Sequence, residues 1–381
     1  MQKAFLDIHV IQSVPPSNLN RDDTGAPKSA VYGGVRRARV SSQAWKRATR
    51  SAFSSLVDSS QLGVRTKRVV ELIADEVIAI DPSLADVAED LGTQVLAAVG
   101  IKVEKPKASG DEETAPPAES GYLVFFSHLQ LAKAARQAVE DHSSGTKFTK
   151  KVYKEILQSD NSLDIALFGR MIADLTDLGV DASVQVAHAL SVHAVESEAD
   201  FYTAVDDHKQ TDEDRDAGAG MMGTVEFNSS TLYRYATVSI AQLVRNLGSV
   251  EATQAALAAF AEAFTLSMPT GKINTFANAT VPSAVVFTLR TDRPISFVEA
   301  FEDPVVQDDG FVAPAIARLV EYAQDTHDTF GAPEGQWAAG VGQRAQALSA
   351  LADLSPLKDA SQAAVEAAIN SFTALGSEES A

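Results

Sequence analysis

Hydrophobic and polar residues alternate near the start of the chain. Residues 4–14 place apolar side chains around Asp7, His9 and Gln12, and this period of two predicts a β-strand. Three further segments with strand character lie at 181–195, 224–240 and 282–290. They predict a sheet whose strands are far apart in the sequence.

Hydrophobic residues follow helical spacing between the first two strand segments. The helical patterns lie at 66–80, 84–100, 128–140, 148–158 and 162–175, and another lies at 250–266. A helical block over residues 60–180 is therefore inserted into the sheet-forming part of the chain, which predicts an α+β fold.

Residues 104–120 fit neither pattern, because they are rich in proline, glutamate, serine and glycine. Such a segment buries too little apolar surface to offset the entropy lost on ordering. We therefore predict a disordered loop here.

Composition narrows the function classes. The 381-residue chain has a formal net charge of −19 and no cysteine, which excludes disulfides and cysteine-ligated metals and fits a cytoplasmic protein. It has no P-loop, GxGxxG or HExxH motif, and its histidines are scattered, so we expect no cofactor and no metal. The N-terminal segment does not resemble a signal peptide, and no apolar run approaches the roughly 20 residues that span a bilayer; we expect no membrane partner.

One window of this acidic chain is strictly basic. From Thr24 to Val57 there are seven Lys or Arg residues and no Asp or Glu, where the average density would give about three basic and four or five acidic residues. By contrast, the segment from Phe301 to Ala381 has 13 acidic and three basic residues. The window therefore predicts a polyanion site, and the remaining acidity would repel nucleic acid from other surfaces.

The first half of this window has the chemistry of a phosphate site. Arg36, Arg37 and Arg39 supply planar guanidinium groups, which suit phosphate oxygens. Gly33 and Gly34 allow a backbone to approach a ligand closely.

The second half of the window predicts a helix with two faces. Ser41 or Ser42 is a plausible N-cap, and the first turn of the helix would direct N–H groups at an anion. Lys46 and Arg50 lie one turn apart on the polar face, together with Gln43 and Arg47. The opposite face should pack on the core through Trp45, Thr49, Ala52, Phe53 and Leu56.

Two further segments carry basic residues in favourable surroundings. Lys272 follows the flexible Gly271, which makes it a phosphate-binding candidate. A basic stripe on a predicted helix, opposite the apolar Phe148, Val152 and Ile156, contains Lys147, Lys150, Lys151 and Lys154.

The segment from Phe201 to Met222 is polar and glycine-rich but contains Phe201, Tyr202, Met221 and Met222. These apolar side chains either fold back onto the core or belong to a projecting hairpin that wedges between stacked bases. The residues alone leave both interpretations open.

The basic window resembles the N-terminal signature of the CasC family, the backbone subunit of the type I-E CRISPR Cascade complex, in SNLNRDDTGAPKSAVYGGVRRARVSSQAWKRATR. Two later segments resemble the same family, FYTAVDD…MMGTVEFNSSTLYRYA and MPTGKINTFA. The resemblance runs in order over most of the chain and is weaker at 60–120 and after about residue 300.

The resemblance implies an RRM-like (ferredoxin-like) palm with an inserted helical finger domain and a β-hairpin thumb. The palm would comprise residues 1–59, 181–196 and 226–375, the finger 60–180, the thumb 197–225 and a flexible tail 376–381. Several copies would polymerise along one CRISPR RNA. Each thumb would flip out a nucleotide periodically, leaving the other bases free to pair with target DNA in antiviral defence.

The resemblance also implies roles for individual residues. RNA-phosphate contacts would come from Arg21, Lys28, Ser41, Gln43, Lys46, Arg50 and Lys272, in a loop shaped by Asn18 and Asn20. The thumb wedges would be Phe201, Tyr202 and Met222, with Met171 near the displaced base. The Lys147, Lys150, Lys151 and Lys154 stripe would line a groove for DNA.

The implied partners are CRISPR RNA, target DNA, further copies of the chain, and the large, small, end-capping and RNA-processing subunits of Cascade. The expected role is not enzymatic. One alternative is a backbone subunit that cleaves RNA with a thumb aspartate, Asp206 or Asp207. Another is a generic single-strand binding protein, which would be monomeric and bind any strand equally.

Overall fold

The structure, a computed structural model, describes residues 3–104, 117–172, 175–204, 221–306 and 309–378. The chain divides into two compact units. The first unit contains 1–52, 185–238 and 260–381, and the second contains 53–184 and 239–259. None of the helices in the described ranges is both long and apolar enough to cross a membrane.

The strands of the described residues are β1 (Phe5–Ser17), β2 (Ser29–Tyr32), β3 (Val35–Val40), β4 (Gly63–Thr66), β5 (Val103–Glu104), β6 (Glu119–Ser120), β7 (Val124–Ser127), β8 (Val184–Val186), β9 (Ala189–Ser191), β10 (Glu198–Ala204), β11 (Met221–Ser239), β12 (Ala284–Arg290) and β13 (Gly335–Gly340). The helices are α1 (Ser42–Ala52), α2 (Val69–Ile80), α3 (Ala88–Val99), α4 (His128–Ser144), α5 (Lys150–Gln158), α6 (Leu163–Phe168), α7 (Ile240–Leu247), α8 (Val250–Leu266), α9 (Ile273–Phe276), α10 (Val312–Phe330) and α11 (Leu357–Glu378). This mixture confirms the predicted α+β class.

The main sheet of the described residues has nine strands, in the order β13-β12-β1-β11-β9-β3-β2, with β10 and β8 also paired to β11. Strands β1 and β12 are antiparallel, with Ile8 opposite Phe287. Strand β9 links β11 to β3 through Leu190 and Ala189. The predicted strand at 181–195 is therefore two short strands, β8 and β9, interrupted at residues 187–188.

Strand β1 is buried on both faces, although its alternating pattern is typical of a half-buried strand. Asp7 and His9 are as buried as Leu6 and Ile8, because each finds a polar partner inside. The carboxylate of Asp7 accepts hydrogen bonds from Tyr235 Oη and the Ile295 N–H. His9 Nδ1 lies 2.9 Å from Tyr233 Oη, and its ring stacks on Phe297 at 4.1 Å.

A tight hairpin joins β2 to β3 in the basic window. Gly33 and Gly34 both have positive φ, 57° and 76°, as a two-residue type I′ turn requires. A Cβ on Gly33 would lie 1.6 Å from the carbonyl oxygen of Glu302. The close approach that Gly33 allows is therefore to the protein's own backbone, and the sequence interpretation of a ligand approach is wrong for this residue.

The second unit is mainly helical. Helices α2, α3, α4 and α5 share one core that includes Val70, Leu96 and Tyr153. Arg170 lies inside this unit and donates to Gln130 Oε1 and to the carbonyls of Phe125, Leu157 and Leu178. Its burial lowers the pKa of the guanidinium to about 10. In the predicted loop 104–120, residues 105–116 lie outside the described residues, while β5 and β6 pair at its two ends.

Candidate nucleic-acid interface

Side-chain hydrogen bonds hold the loop between β1 and β2 in place. The side-chain amide of Asn18, which is buried, donates 2.9 Å hydrogen bonds to the carbonyls of Gly25 and Glu226. Asp22 Oδ1 accepts from the Thr24 hydroxyl and from the N–H groups of Thr24 and Ala26. These hydrogen bonds hold the pKa of Asp22 below its ordinary value, with the Thr24 hydroxyl as the main cause. The loop therefore has one defined path, and Arg21 lies exposed on it.

The same loop supports the start of helix α1. Asn20 Oδ1 accepts the Ser41 N–H at 2.9 Å, and the Asn20 carbonyl accepts the Lys28 N–H. Ser41 Oγ accepts the Ala44 N–H at 3.3 Å, so Ser41 is the N-cap. The asparagine therefore shapes the loop through a protein contact and holds it against the helix.

The first turn of α1 offers few unused donors. The Ser42 N–H donates to His188 Nδ1 at 3.1 Å, and the Trp45 N–H donates to the Ser41 carbonyl. Among the described residues, the Gln43 N–H has no partner, and its side chain is exposed. Of the backbone N–H groups that the sequence predicts to face an anion at the start of α1, the one without a partner among the described residues is therefore that of Gln43.

The two faces of α1 lie as the sequence predicts. Trp45, Thr49 and Phe53 are buried, and Gln43 and Arg47 are exposed. Lys46 and Arg50 are half-buried. Burial lowers the pKa of Lys46, because desolvation penalises its charge.

Arg234 of β11 anchors the apolar face of α1. Its guanidinium lies 3.7 Å from the centroid of the Trp45 ring and donates to Gln12 Oε1 and the Phe264 carbonyl. Its own burial lowers the pKa of Arg234 to about 9. This arginine was not identified from the sequence as part of the site; its position in the predicted strand 224–240 was the only signal.

Lys272 lies near the loop 18–28 because its neighbour Gly271 packs against that loop. A Cβ on Gly271 would lie 2.3 Å from the Leu19 carbonyl oxygen and 2.7 Å from that of Asn18, so only glycine allows the two backbones to meet. Gly271 is thus required for a close approach and not for flexibility. Lys272 has a φ of 50°, a left-handed conformation that is uncommon outside glycine.

The three arginines of β3 differ in burial and in hydrogen bonding. Arg37 is fully buried, and its guanidinium donates to the carbonyls of Tyr32, Ser191, Phe301 and Glu302. Its predicted RNA contact is therefore wrong for the folded chain, because the side chain is closed off from solvent and four hydrogen bonds to carbonyls already hold it. Arg36 is exposed and donates to Ser29 Oγ.

We define the α1 site as the loop 18–28, Arg39, the first turns of α1 to Arg50, His188 and Gly271–Lys272. It brings together Asn18, Asn20, Arg21, Lys28, Ser41, Gln43, Lys46, Arg50 and Lys272 from the sequence prediction. Arg39 belongs to it because its N–H donates to the Lys28 carbonyl. His188 is a member that the sequence did not indicate.

A second feature of the first unit is the hairpin formed by β10 and β11. Its register pairs Phe201 with Thr224, Tyr202 with Gly223, and Thr203 with Met222. Phe201 and Met222 therefore lie on one face as diagonal neighbours, and Tyr202 lies on the other. The exposed fractions of Phe201 and Met222 are 62% and 65%, so neither folds back onto the core. Asp206, Asp207 and the acidic segment 209–216 lie outside the described residues.

The basic stripe and Met171 belong to the second unit. Lys147, Lys150 and Lys151 are exposed, but Lys154 forms a 2.7 Å ion pair with Asp177, which lowers the pKa of that carboxyl. The buried side of α5 is formed by Tyr153 and Leu157, one position beyond the apolar stripe that the sequence indicated. Met171 is 90% exposed.

No group of three or more His, Cys, Asp or Glu residues within the described ranges is arranged to hold a metal ion. His193 is buried and stacks on Phe311 at 3.7 Å.

Comparison with known proteins gives a consistent picture. The model of the CT1975-like protein family (Cas_CT1975) matches residues 6–365. A chain of a solved "CRISPR RNA-guided surveillance complex, pre-nicking" is 36% identical, with a TM-score of 0.84 over 96% of this chain and 100% of that chain. A chain of another "CRISPR RNA-guided surveillance complex" is 31% identical, with a TM-score of 0.73 over 95% and 99% of the two chains. No curated protein sequence matches significantly.

Proposed function

The chain belongs to the CT1975-like protein family, and we propose that it is the CRISPR RNA-binding backbone subunit of a type I-E Cascade complex, as its resemblance to CasC implies. It would act with further copies of itself and with the other Cascade subunits. The similarity to chains of RNA-guided surveillance complexes extends over nearly the whole of both chains, which supports a role in such a complex.

The observation that carries this proposal is the convergence at the α1 site. Asn20 bonds both the Lys28 N–H and the Ser41 N–H at the start of α1, the helix that carries Lys46. Gly271, next to Lys272, approaches the carbonyls of Asn18 and Leu19 in the same loop. No acidic residue lies between Thr24 and Val57. The acidic residues of the loop 18–28 are Asp22 and Asp23, and the Asp22 carboxylate accepts hydrogen bonds from Thr24 and Ala26. Lysine and arginine that neutralise phosphates bind any sequence. A guide RNA needs such a grip, because base pairing and not the protein reads its sequence.

The β10–β11 hairpin is the proposed thumb. Exposed apolar side chains on a two-stranded projection suit insertion between bases, and the shared face of Phe201 and Met222 gives the wedge two adjacent side chains. Lys147, Lys150 and Lys151 are the proposed contacts to target DNA, because they are exposed and Lys154 is the member held by an ion pair.

We propose that the subunit is not catalytic. Cleavage by Asp206 or Asp207 is tested by incubating the assembled complex with labelled complementary RNA and Mg²⁺. Intact RNA is the expected result. Cuts at a fixed spacing that disappear in Asp207→Asn would instead establish the cleaving alternative.

The proposal is tested by the salt dependence of RNA binding. Lys46→Ala and Arg50→Ala should each weaken binding equally for unrelated sequences and lower the single-strand salt slope by about 0.7, because one counterion fewer is released. Lys358→Ala is the matched control, since this exposed lysine on α11 lies in the acidic C-terminal segment and should leave the slope unchanged. Unchanged slopes in both α1 variants would exclude the phosphate contacts.

A further inference from the structure

His188 lies beside the start of α1 because of the strand register. Ala189 of β9 pairs with Val40 of β3 in an antiparallel ladder. The residues that come next, His188 and Ser41, are therefore adjacent. The Ala187 N–H donates to the Tyr235 carbonyl, which fixes the backbone just before the histidine. His188 is thus placed by two strands of the sheet, although the residue itself is exposed.

The contact with α1 determines which nitrogen of His188 carries a proton. The Ser42 N–H donates to Nδ1 at 3.1 Å, so Nδ1 must supply a lone pair. In a neutral imidazole the other nitrogen then carries the hydrogen. Desolvation lowers the pKa of His188, and the charges of Arg39 and Lys28 lower it further. The ring is therefore neutral at physiological pH, with a fixed Nε2–H donor.

The Nε2–H group of His188 donates to no acceptor among the described residues, and the ring is on the surface. The charges nearest to it are the cations Arg39 and Lys28, both inside the acid-free window. A group that accepts a hydrogen bond and carries negative charge nearby would satisfy the donor and both cations together.

We infer that His188 is a further RNA contact of the α1 site, donating from Nε2 to an acceptor oxygen of the ribose-phosphate backbone while Nδ1 caps the first turn of α1. This inference rests on the proposed function, because it takes RNA as the ligand of that site. The contact differs in kind from those of Lys46 and Arg50. It is directional and uncharged, so it fixes the position of the backbone without adding to counterion release.

Two substitutions separate the donor from the cap. In His188→Asn, Oδ1 branches from Cγ as Nδ1 does, so the variant keeps an acceptor for the Ser42 N–H. Its remaining donor, Nδ2, is bonded directly to Cγ and therefore does not reach as far outwards as Nε2 of the imidazole. His188→Ala loses both the acceptor and the donor. Lys28→Ala removes a neighbouring charge and serves as the comparison. Each protein is titrated with a labelled single-stranded RNA and with DNA of the same sequence at several salt concentrations, and each RNA-free protein is melted.

We expect His188→Asn to bind RNA roughly tenfold more weakly, since it loses a hydrogen bond to a charged or polar oxygen, with its salt slope and melting temperature unchanged. His188→Ala should show the same loss and a lower melting temperature. Lys28→Ala should lower the salt slope by about 0.7. An equal loss on RNA and DNA identifies a phosphate oxygen as the acceptor, and a loss on RNA alone identifies the ribose 2′-hydroxyl.

Wild-type RNA affinity in His188→Asn would overturn the inference, even if His188→Ala were weakened, because the histidine would then act only as a cap. In that case a reduced slope in Lys28→Ala would leave the proposed function intact. Wild-type affinity and slope in both His188→Asn and Lys28→Ala would count against the α1 site itself as the RNA-binding surface.

Discussion

Arg36 and Arg37 are adjacent residues with opposite surroundings. Arg37 is buried and donates to four carbonyls, whereas Arg36 is exposed and donates to Ser29. Because alternate residues of a strand point to opposite faces, β3 directs one guanidinium into the fold and one outwards. A buried carbonyl that loses its donor costs its full desolvation, so Arg37 holds the hairpin to residues 301–302.

The first prediction compares these two arginines. Arg37→Ala should lower the free energy of unfolding by about 3 kcal/mol, because it leaves several buried carbonyls without donors. Arg36→Ala, its control, should stay within about 0.5 kcal/mol of the wild type. Urea denaturation of the RNA-free protein measures both values. Equal stability of the two variants would mean that Arg37 is not structural.

Asp7 and His9 have opposite effects on stability within one pH window. Burial raises the pKa of Asp7 to about 6 and lowers the pKa of His9 to about 3. The stability that Asp7 contributes is fully present below its unfolded pKa of about 3.9 and is lost as the pH rises through 6. The stability that depends on neutral His9 is instead lost as the pH falls from about 6.5.

The second prediction isolates the carboxyl. Asp7→Asn cannot ionise, so between about pH 4 and pH 6 its stability relative to the wild type should improve by up to about 3 kcal/mol. The slope of this difference is the readout, since the lost Ile295 contact adds a constant offset. Asp75→Asn on α2, an exposed position, is the control. A difference that stays constant across the window would show that Asp7 is not protonated in the fold.

Among the elements, the β10–β11 hairpin is unusual because it exposes apolar side chains. Tyr202 lies against Gly223, where a Cβ would come within 2.5 Å of its hydroxyl oxygen. The ring is thus held on one face while Phe201 and Met222 remain on the other. A strand pair with little burial contributes little to global stability. The exposed side chains of this hairpin can therefore bind a partner without loss of stability.

The third prediction concerns this hairpin. Phe201→Ala together with Met222→Ala should leave the unfolding free energy of the RNA-free protein within about 0.5 kcal/mol, as exposed positions do. Assembly on guide RNA should weaken, because stacking is worth about 1–3 kcal/mol per base. The flipped sites of the guide should become less reactive to probes of unstacked bases.

The control for this pair is Val306→Ala, which removes another exposed apolar side chain of the first unit. It should change neither melting nor assembly. A large drop in melting temperature in the double variant would mean that the two side chains support the fold, and an unchanged assembly would mean that they do not contact RNA.

On the scale of the whole molecule, charge is divided between one basic window and an acidic remainder. The net charge of −19 makes copies repel at distances up to the Debye length, about 8 Å at physiological salt. If several copies share one RNA, as proposed above, the polyanion would offset this repulsion at their basic windows.

The fourth prediction follows from this division. The RNA-free chain should be monomeric because its copies repel, and a long guide RNA should carry several copies because the shared polyanion offsets that repulsion. Mass photometry resolves these populations. A generic single-strand binding protein would instead bind DNA of the same sequence with the same affinity as RNA. The Lys46→Ala/Arg50→Ala double variant should remain monomeric at the same concentrations.

Local patterns along the chain were enough to predict the class of the fold and to locate the basic window. Periodicity located α8 and β12 closely, because both are long apolar segments whose pattern depends on local geometry. The absence of acidic residues in 24–57 indicated a phosphate site, because charge is a property of residue type. The glycine pair at 33–34 between alternating residues was also a readable hairpin signal.

Which basic residues are exposed to a ligand depends on how distant segments of the chain pack. Arg37 and Arg36 are alike in sequence, and their difference depends on carbonyls at Ser191 and Phe301 that lie more than a hundred residues away. Gly271 and His188 join the α1 site through a backbone contact and a strand register. Such long-range contacts depend on how distant segments pack, which no local pattern of the sequence records.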